Sequence, residues 1–379
     1  MNPLARNPLL LQPFRLFFLG AALYASLGML TWAVFLHLGW LPASVLPPLA
    51  WHGHEMLFGF VAALIAGFLL TAVGNWTGLP TTTPMRLAAL VILWLLARLA
   101  MLLPGAIPVT LTAVLDCAFF PLLAVVIARP ILKSRNTRNL FIIPLLFAFA
   151  LADVLFWLGQ TRWIALSPSR VLFWVIDLIT LLMLVIGGRV IPFFTGRRLP
   201  GVAVKSRAWL DRAVNAGAAL LILMDVVLPG SIVLGIASLT IALLALIRLG
   251  GWQSRRTFGE PMLWVLHLGY LWLVAGLTLR GLALLGAGLP ELSALHALTA
   301  GALGSLSLGM MLRVSQGHSG RTIRANPVMR LAFVLVSLAA ILRVTGLPSL
   351  LSLAGLGWAL AFGILLIVLL PIQFGPLRT

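Results

Sequence analysis

Apolar runs of about 20 residues recur along almost the whole chain, and they leave few folds open. A bilayer core about 30 Å thick is crossed by a helix of that length, because lipid offers no partner to an unpaired backbone amide. Windows of this kind, divided by Pro, Gly and Arg clusters, predict twelve helices. They fall near residues 15–40, 49–76, 85–103, 108–129, 138–160, 167–192, 207–228, 231–249, 258–286, 290–314, 327–347 and 349–371. Composition agrees, with a mean hydropathy of +1.11 and 9% charged residues, where a soluble domain carries about 25%. The expected fold class is all-α integral membrane, one polytopic domain over 1–379. Pro80, Pro84, Pro104, Pro229 and Pro348 fall between the predicted spans, and Pro108, Pro290 and Pro327 at their first residue, where a missing amide donor does little harm.

The formal net charge of +18 raises the question of a nucleic-acid partner, but the basic residues are expected in short loops between apolar runs. With twelve spans, 21 of the 26 basic residues fall on the side of the termini, from Arg6 and Arg15 through to Arg378. Arg98, Arg162, Arg170, Arg280 and Arg343 are left for the other face. Such an imbalance predicts that both termini are cytoplasmic, and it predicts a lipid bilayer, not nucleic acid, as the partner. The single Cys117 excludes an internal disulfide and a thiolate metal cluster, and reads as a small core residue. The start, Met1 to Gln12, is polar and proline-rich, unlike a cleaved signal peptide.

Against this apolar background Trp51-His52-Gly53-His54-Glu55-Met56 stands out. The chain holds 6 His and 8 acidic residues, and three of these lie within four consecutive positions. At about 1.5 Å per residue, His52 and His54 open span 2 at the periplasmic side. His296 lies a short way into span 10 from the same side, and His267 lies near the middle of span 9. Asp116, Asp153 and Asp177 fall in the central or periplasmic half of spans 4, 5 and 6. Ionisable groups at such depth are functional candidates by default. His52 and His54 point about 200° apart on a regular helix. They therefore serve different sites, or Gly53 loosens the helix start and lets them cooperate.

Neutral imidazole suits haem iron and copper, and a ligating ring offers its other nitrogen to a carboxylate or carbonyl, a role open to Glu55 or the buried aspartates. Each histidine taken singly is also explained as a hydrogen-bonded packing residue, most readily His37 at the end of span 1. Met310 and Met311 are soft copper ligands by chemistry and ordinary core residues by frequency. Gly187-Gly188-Arg189-Val190-Ile191-Pro192 predicts a kinked helix end that aims Arg189 inward, as a partner for carboxylates or propionates. His318, beside Arg321 on the cytoplasmic rim, forms a second candidate site or a solvated loop.

Three helix ends look alike: Asn75-Trp76-Thr77-Gly78, Phe193-Phe194-Thr195-Gly196 and Gly317-His318-Ser319-Gly320. A left-handed Gly after Thr or Ser is a plausible helix stop. A threefold repeat of four helices, over 1–135, 136–250 and 251–379, accounts for the pattern. That 4+4+4 arrangement with cytoplasmic termini is analogous to the topology of haem–copper oxidase cores.

The segments Trp51 to Phe60, Gly187 to Thr195, Trp264-Val265-Leu266-His267-Leu268-Gly269-Tyr270, His296 to Arg321 and Pro13-Phe14-Arg15-Leu16-Phe17-Phe18 together resemble the NnrS family, in the right order and over essentially the whole chain. The resemblance implies a multi-pass protein of the bacterial inner membrane that contains haem (b-type) and copper and acts in nitric oxide metabolism, denitrification or nitrosative-stress resistance. It implies nitric oxide or another diatomic ligand as partner, and quinol or another electron donor. By depth and residue type, His54 and His296 are the expected haem axial pair. His52 and His267 are copper ligands or alternates, with Glu55, Asp116, Asp153 and Asp177 orienting ligands or passing protons. Whether the protein turns over substrate stays open; if it does, the expected reaction is that of a haem/copper oxidoreductase acting on nitric oxide. A proton-coupled secondary transporter and a metal or haem assembly factor are the alternatives.

Overall fold

The computed structural model describes residues 8–376. Arg6 and Arg378, counted above toward the basic face, and the first residues of the Met1–Gln12 start lie outside them. After a short helical turn at Pro8–Leu11, twelve helices follow among the described residues: α1 (Pro13–Leu38), α2 (Pro48–Thr77), α3 (Pro84–Met101), α4 (Val109–Lys133), α5 (Ile142–Gln160) and α6 (Pro168–Arg198), then α7 (Ala208–Val227), α8 (Ile232–Gly250), α9 (Pro261–Leu284), α10 (Glu291–His318), α11 (Pro327–Val344) and α12 (Pro348–Gln373). Eleven are long and apolar enough to cross a membrane. The other, α7, spans 20 residues but carries Asp211, Arg212 and Asp225. The chain is thus an all-α integral membrane protein.

Local chemistry sets the helix ends. α1, α2, α3, α6, α9, α11 and α12 each begin on a proline, whose fixed φ and missing N–H suit the first helical position. Thr83, Ser231 and Asn326 accept the amides of Arg86, Leu234 and Met329 at 3.4, 3.2 and 2.9 Å. Gly78 and Gly320 take the left-handed conformation after α2 and α10, with φ of 67° and 69°. Gly196 does not. α6 runs through Pro192 and Gly196 to Arg198, and the left-handed turn falls at Gly201. The end predicted at 192 is therefore corrected, since one proline removes one amide and the remaining ladder carries the helix on.

Inside α2 and α10 the regular helix gives way to a π-helical stretch, Glu55–Val61 and Ala297–Leu303, each following directly on a histidine. The two helices share more than this. Gly59 and Gly301 lie five residues beyond their histidines, Gly67 and Gly309 thirteen beyond, and Gly78 and Gly320 twenty-four beyond. A Cβ on Gly59 would come within 2.5 Å of the Tyr24 ring of α1, and one on Gly301 within 2.5 Å of the Trp272 ring of α9. Gly67 lies against Phe17 and Phe18, and Gly309 against Val265 and Leu266. The packing of α2 on α1 is thus repeated locally by α10 on α9. α6 has neither the π-helical stretch nor the left-handed glycine at the expected place.

Contacts divide the described residues into two compact units, one of 8–175, 314–321 and 366–376, the other of 176–313 and 322–365. The first is centred on buried aromatic rings, among them Phe14, Phe17, Phe60, Phe120, Phe149 and Phe156. In it Arg15 is fully enclosed, and its guanidinium donates to the carbonyls of Gln373 at 2.5 Å and Gly375 at 2.9 Å. The second is centred on Leu263, Leu266, Tyr270, Trp252 and Phe333. The assignment of basic residues to loops also needs correction. Arg15, Arg98, Arg248 and Arg313 are buried and Arg280 nearly so, because carboxylates and carbonyls at the same depth require charged partners.

Candidate metal centre

His54 closes the first regular segment of α2, and the wider π turn begins with Glu55. Such single wide turns inside α-helices are frequent at functional sites. Gly53 does not loosen the helix. It makes room for Leu172, whose Cδ1 would lie 2.6 Å from a Cβ there. The two neighbouring histidines consequently diverge. His52 stacks on Trp32 of α1, with ring centroids 4.3 Å apart and planes within 9°. His54 points into the bundle.

Around His54 four further helices supply charged or polar groups. The Glu55 carboxylate accepts from the Tyr24 hydroxyl of α1 and from the Arg98 guanidinium of α3. Arg98 also donates to Asp116 of α4, whose other oxygen accepts from the Trp157 indole of α5 at 3.1 Å. His54 Nδ1 lies 3.0 Å from Glu55 Oε1, while Nε2 lies 2.9 Å from Asp116 Oδ2 and 3.6 Å from Asp153 Oδ1. The rings of Phe58 and Phe156 pack against the imidazole at 4.9 and 4.6 Å. None of His54, Glu55, Arg98, Asp116 or Asp153 is more than 4% exposed.

Two properties of this cluster bear on its chemistry. Its three carboxylates face one obligatory cation, Arg98, so that even a protonated His54 leaves one negative charge uncompensated. A buried site of that kind retains a proton or takes up a cation. Moreover, His54 Nε2 and Asp153 Oδ1 are buried without a hydrogen bond, close as they are to neighbouring polar atoms. One ligand atom each from His54, Asp116 and Asp153 lies within 4.8 Å of the others. Atoms that bind one ion at about 2.1 Å lie at most about 4.2 Å apart, a spacing that the 2.9 and 3.6 Å approaches of Asp116 and Asp153 to His54 Nε2 already meet.

The other expected site residues fall elsewhere. His296 directs Nδ1 at the Leu292 carbonyl, 2.7 Å away. A carbonyl only accepts, so Nδ1 carries the hydrogen and Nε2 keeps its lone pair. His267 has both ring nitrogens engaged, by Thr195 Oγ1 and Ser254 Oγ, each at 2.9 Å. Asp177 pairs with Arg280 at 2.5 Å, and Arg280 reaches Asp225 at 3.1 Å. His318 sits by Asn75 at 3.4 Å and by the Phe14 ring at 5.9 Å, and Arg321 donates to the Pro371 carbonyl at 3.0 Å. Beside Arg189, which is half-buried, a second arginine, Arg248, enters this part of the bundle. It fills the space left by Gly188, bonds the Leu184 carbonyl at 3.0 Å and pairs with Asp211 at 2.7 Å.

Sequence reasoning missed Arg98, Tyr24 and Trp157. Arg98 lies three residues from a helix end and reads as an interfacial anchor. The available signal was stoichiometric, since several acids at one depth demand a cation nearby.

No curated protein matches the chain. The family model described as NnrS protein matches residues 8–376, nearly the full length, and the chain belongs to the NnrS family.

Proposed function

We propose that the protein is a metal-binding component of nitric oxide metabolism or nitrosative-stress resistance in a bacterial inner membrane, with both termini cytoplasmic. Membership of the NnrS family supports the nitric oxide role, and the excess of basic residues on one side supports the orientation. The observation that carries the metal is the buried convergence of His54, Asp116 and Asp153 with two polar atoms lacking hydrogen bonds. One imidazole and two carboxylates suit a compact transition-metal ion such as copper(II) or iron(II). With both imidazole nitrogens directed at carboxylates and aromatic rings packed against it, this setting does not fit a haem.

For haem, the donor that fits is His296, whose Nδ1–H is fixed on a backbone carbonyl, leaving the lone pair of Nε2 for a ligand bond. Bound there, haem iron would supply one-electron chemistry and affinity for diatomic molecules. The chain's own residues do the rest. Arg98 and Tyr24 hold Glu55 and Asp116 in place, and Glu55 beside Nδ1 orients the His54 ring. The same excess of carboxylate also serves a proton-coupled carrier, which would move protons with substrate in metal-free liposomes.

Elemental analysis with optical and electron-spin spectra on the purified protein tests the proposal. The expected result is a non-haem ion lost in Asp153→Asn, and a Soret band lost in His296→Ala but kept in His54→Ala. A colourless, metal-free preparation with full helical content would refute it.

A further inference from the structure

Within the second unit, a cavity of about 240 Å³ opens where the end of α6, the start of α9 and the loop after α10 meet. That volume is several times the ~30 Å³ a water molecule takes up in the liquid. Arg197, Arg198 and Arg313 line it opposite a single acid, Glu260, which pairs with Arg198 at 3.0 Å. The balance is two positive charges in excess. Arg313 is only 8% exposed. Its guanidinium lies 4.1 Å from the Phe194 ring centroid, NH1 donates to the Met262 carbonyl at 3.2 Å, and Nε has no partner. A buried guanidinium with an unused donor at the wall of a cavity calls for an anion. The first turn of α9, which contributes Met262 and Leu263 to the wall, adds its positive dipole end.

We propose that this cavity binds a phosphate group, through Arg313 at its base and Arg197 and Arg198 at its rim. The apolar part of the lining, Phe194, Met262, Leu263 and Ile323, favours the phosphate of an anionic phospholipid. Basic pockets near the ends of membrane helices suit such headgroups. The trigonal fork of Arg313 matches phosphate oxygens, and the exposed Arg198 exchanges Glu260 for the ligand without unburying a charge.

The test uses the delipidated full-length protein in detergent, with binding of cardiolipin and of phosphatidylcholine measured by native mass spectrometry. Thermal unfolding is followed in parallel with inorganic phosphate. The wild type is expected to bind cardiolipin at least about fivefold more tightly than phosphatidylcholine, the order of effect of one basic residue near a headgroup. Arg313→Gln is expected to abolish that preference. Since Arg313→Gln is buried and its folding is at risk, Arg197→Gln with Arg198→Gln, both at exposed positions, provides a second reading and is expected to reduce the preference severalfold. Stabilisation by millimolar inorganic phosphate without lipid preference, lost in the same variants, identifies a site for free phosphate and upholds the phosphate chemistry. Equal binding of the two lipids with no effect of phosphate, or a preference that both sets of variants leave intact, overturns the proposal.

Discussion

His54 and His296 stand at the same point of two similarly built helices, yet their surroundings have opposite character. Each closes a short regular segment, each directly precedes a π-helical stretch, and each is followed five residues later by a glycine lying under an aromatic ring. Around His54 the neighbouring helices place Glu55, Asp116 and Asp153 against one arginine. Around His296 there is a backbone carbonyl, and the charged neighbour is Arg343. The backbone plan therefore supplies a position, and the adjoining helices decide what that position can hold. An acid-rich pocket retains a cation or proton; a histidine oriented by a carbonyl offers a lone pair.

The largest expected break between the two regions comes from their arginines. Arg98→Leu leaves the carboxylates of Glu55 and Asp116 buried without their cation and is expected to destabilise the protein by about 3–5 kcal/mol. Arg343→Leu should cost no more than about 1 kcal/mol. Denaturant unfolding in detergent compares them, and similar losses would erase the distinction. Next comes Asp153→Asn, which removes one ligand and one uncompensated charge together. Metal affinity at the His54 site should fall roughly 10–100-fold, while the metal-free protein becomes more stable. A fall in both would mean that Asp153 is simply a structural acceptor.

The similarity of the two regions is tested by Gly59→Ala and Gly301→Ala. Each places a methyl group 2.5 Å from a ring atom and should cost about 1–3 kcal/mol through overpacking. A neutral result at one site alone would show that the shared packing is superficial. The smallest effect is expected at the exposed His37, where His37→Ala should stay within about 0.5 kcal/mol and leave both metal content and Soret absorption unchanged.

How far the sequence carried this picture depends on what a linear pattern encodes. The twelve apolar windows each coincide with a helix, and eleven of these are long and apolar enough to cross a membrane, because burial in lipid acts on every residue of a span. Depth singled out Asp116 and Asp153 together with Asp177 and His296, of which only the first two join His54 and Glu55, while Asp177 pairs with Arg280. Direction around the helix axis was not readable. Without it Arg98 was left on the face opposite the termini, and Arg248, which Gly188 accommodates, went unremarked. The repetition of α2 in α10 was legible only at the helix ends, because it survives at few positions, chiefly one histidine and three glycines in about 25 residues, where backbones and rings come closest. The end of α6 was misplaced because Pro192 is a stop in most soluble helices, whereas a helix in lipid has no solvent to take over the backbone groups it would release.

The hydrogen bonds from Arg15 to Gln373 and Gly375 bear on how such a chain is made. A side chain near the beginning of the first long helix donates, through Nη1, to carbonyls more than 350 positions later. While the ribosome is still synthesising the intervening helices, that guanidinium has no native acceptor and must stay hydrated at the membrane surface or borrow a lipid phosphate. The first helix to be inserted is thus among the last to reach its final setting, and assembly of the bundle is completed only after residues 373–375 have emerged.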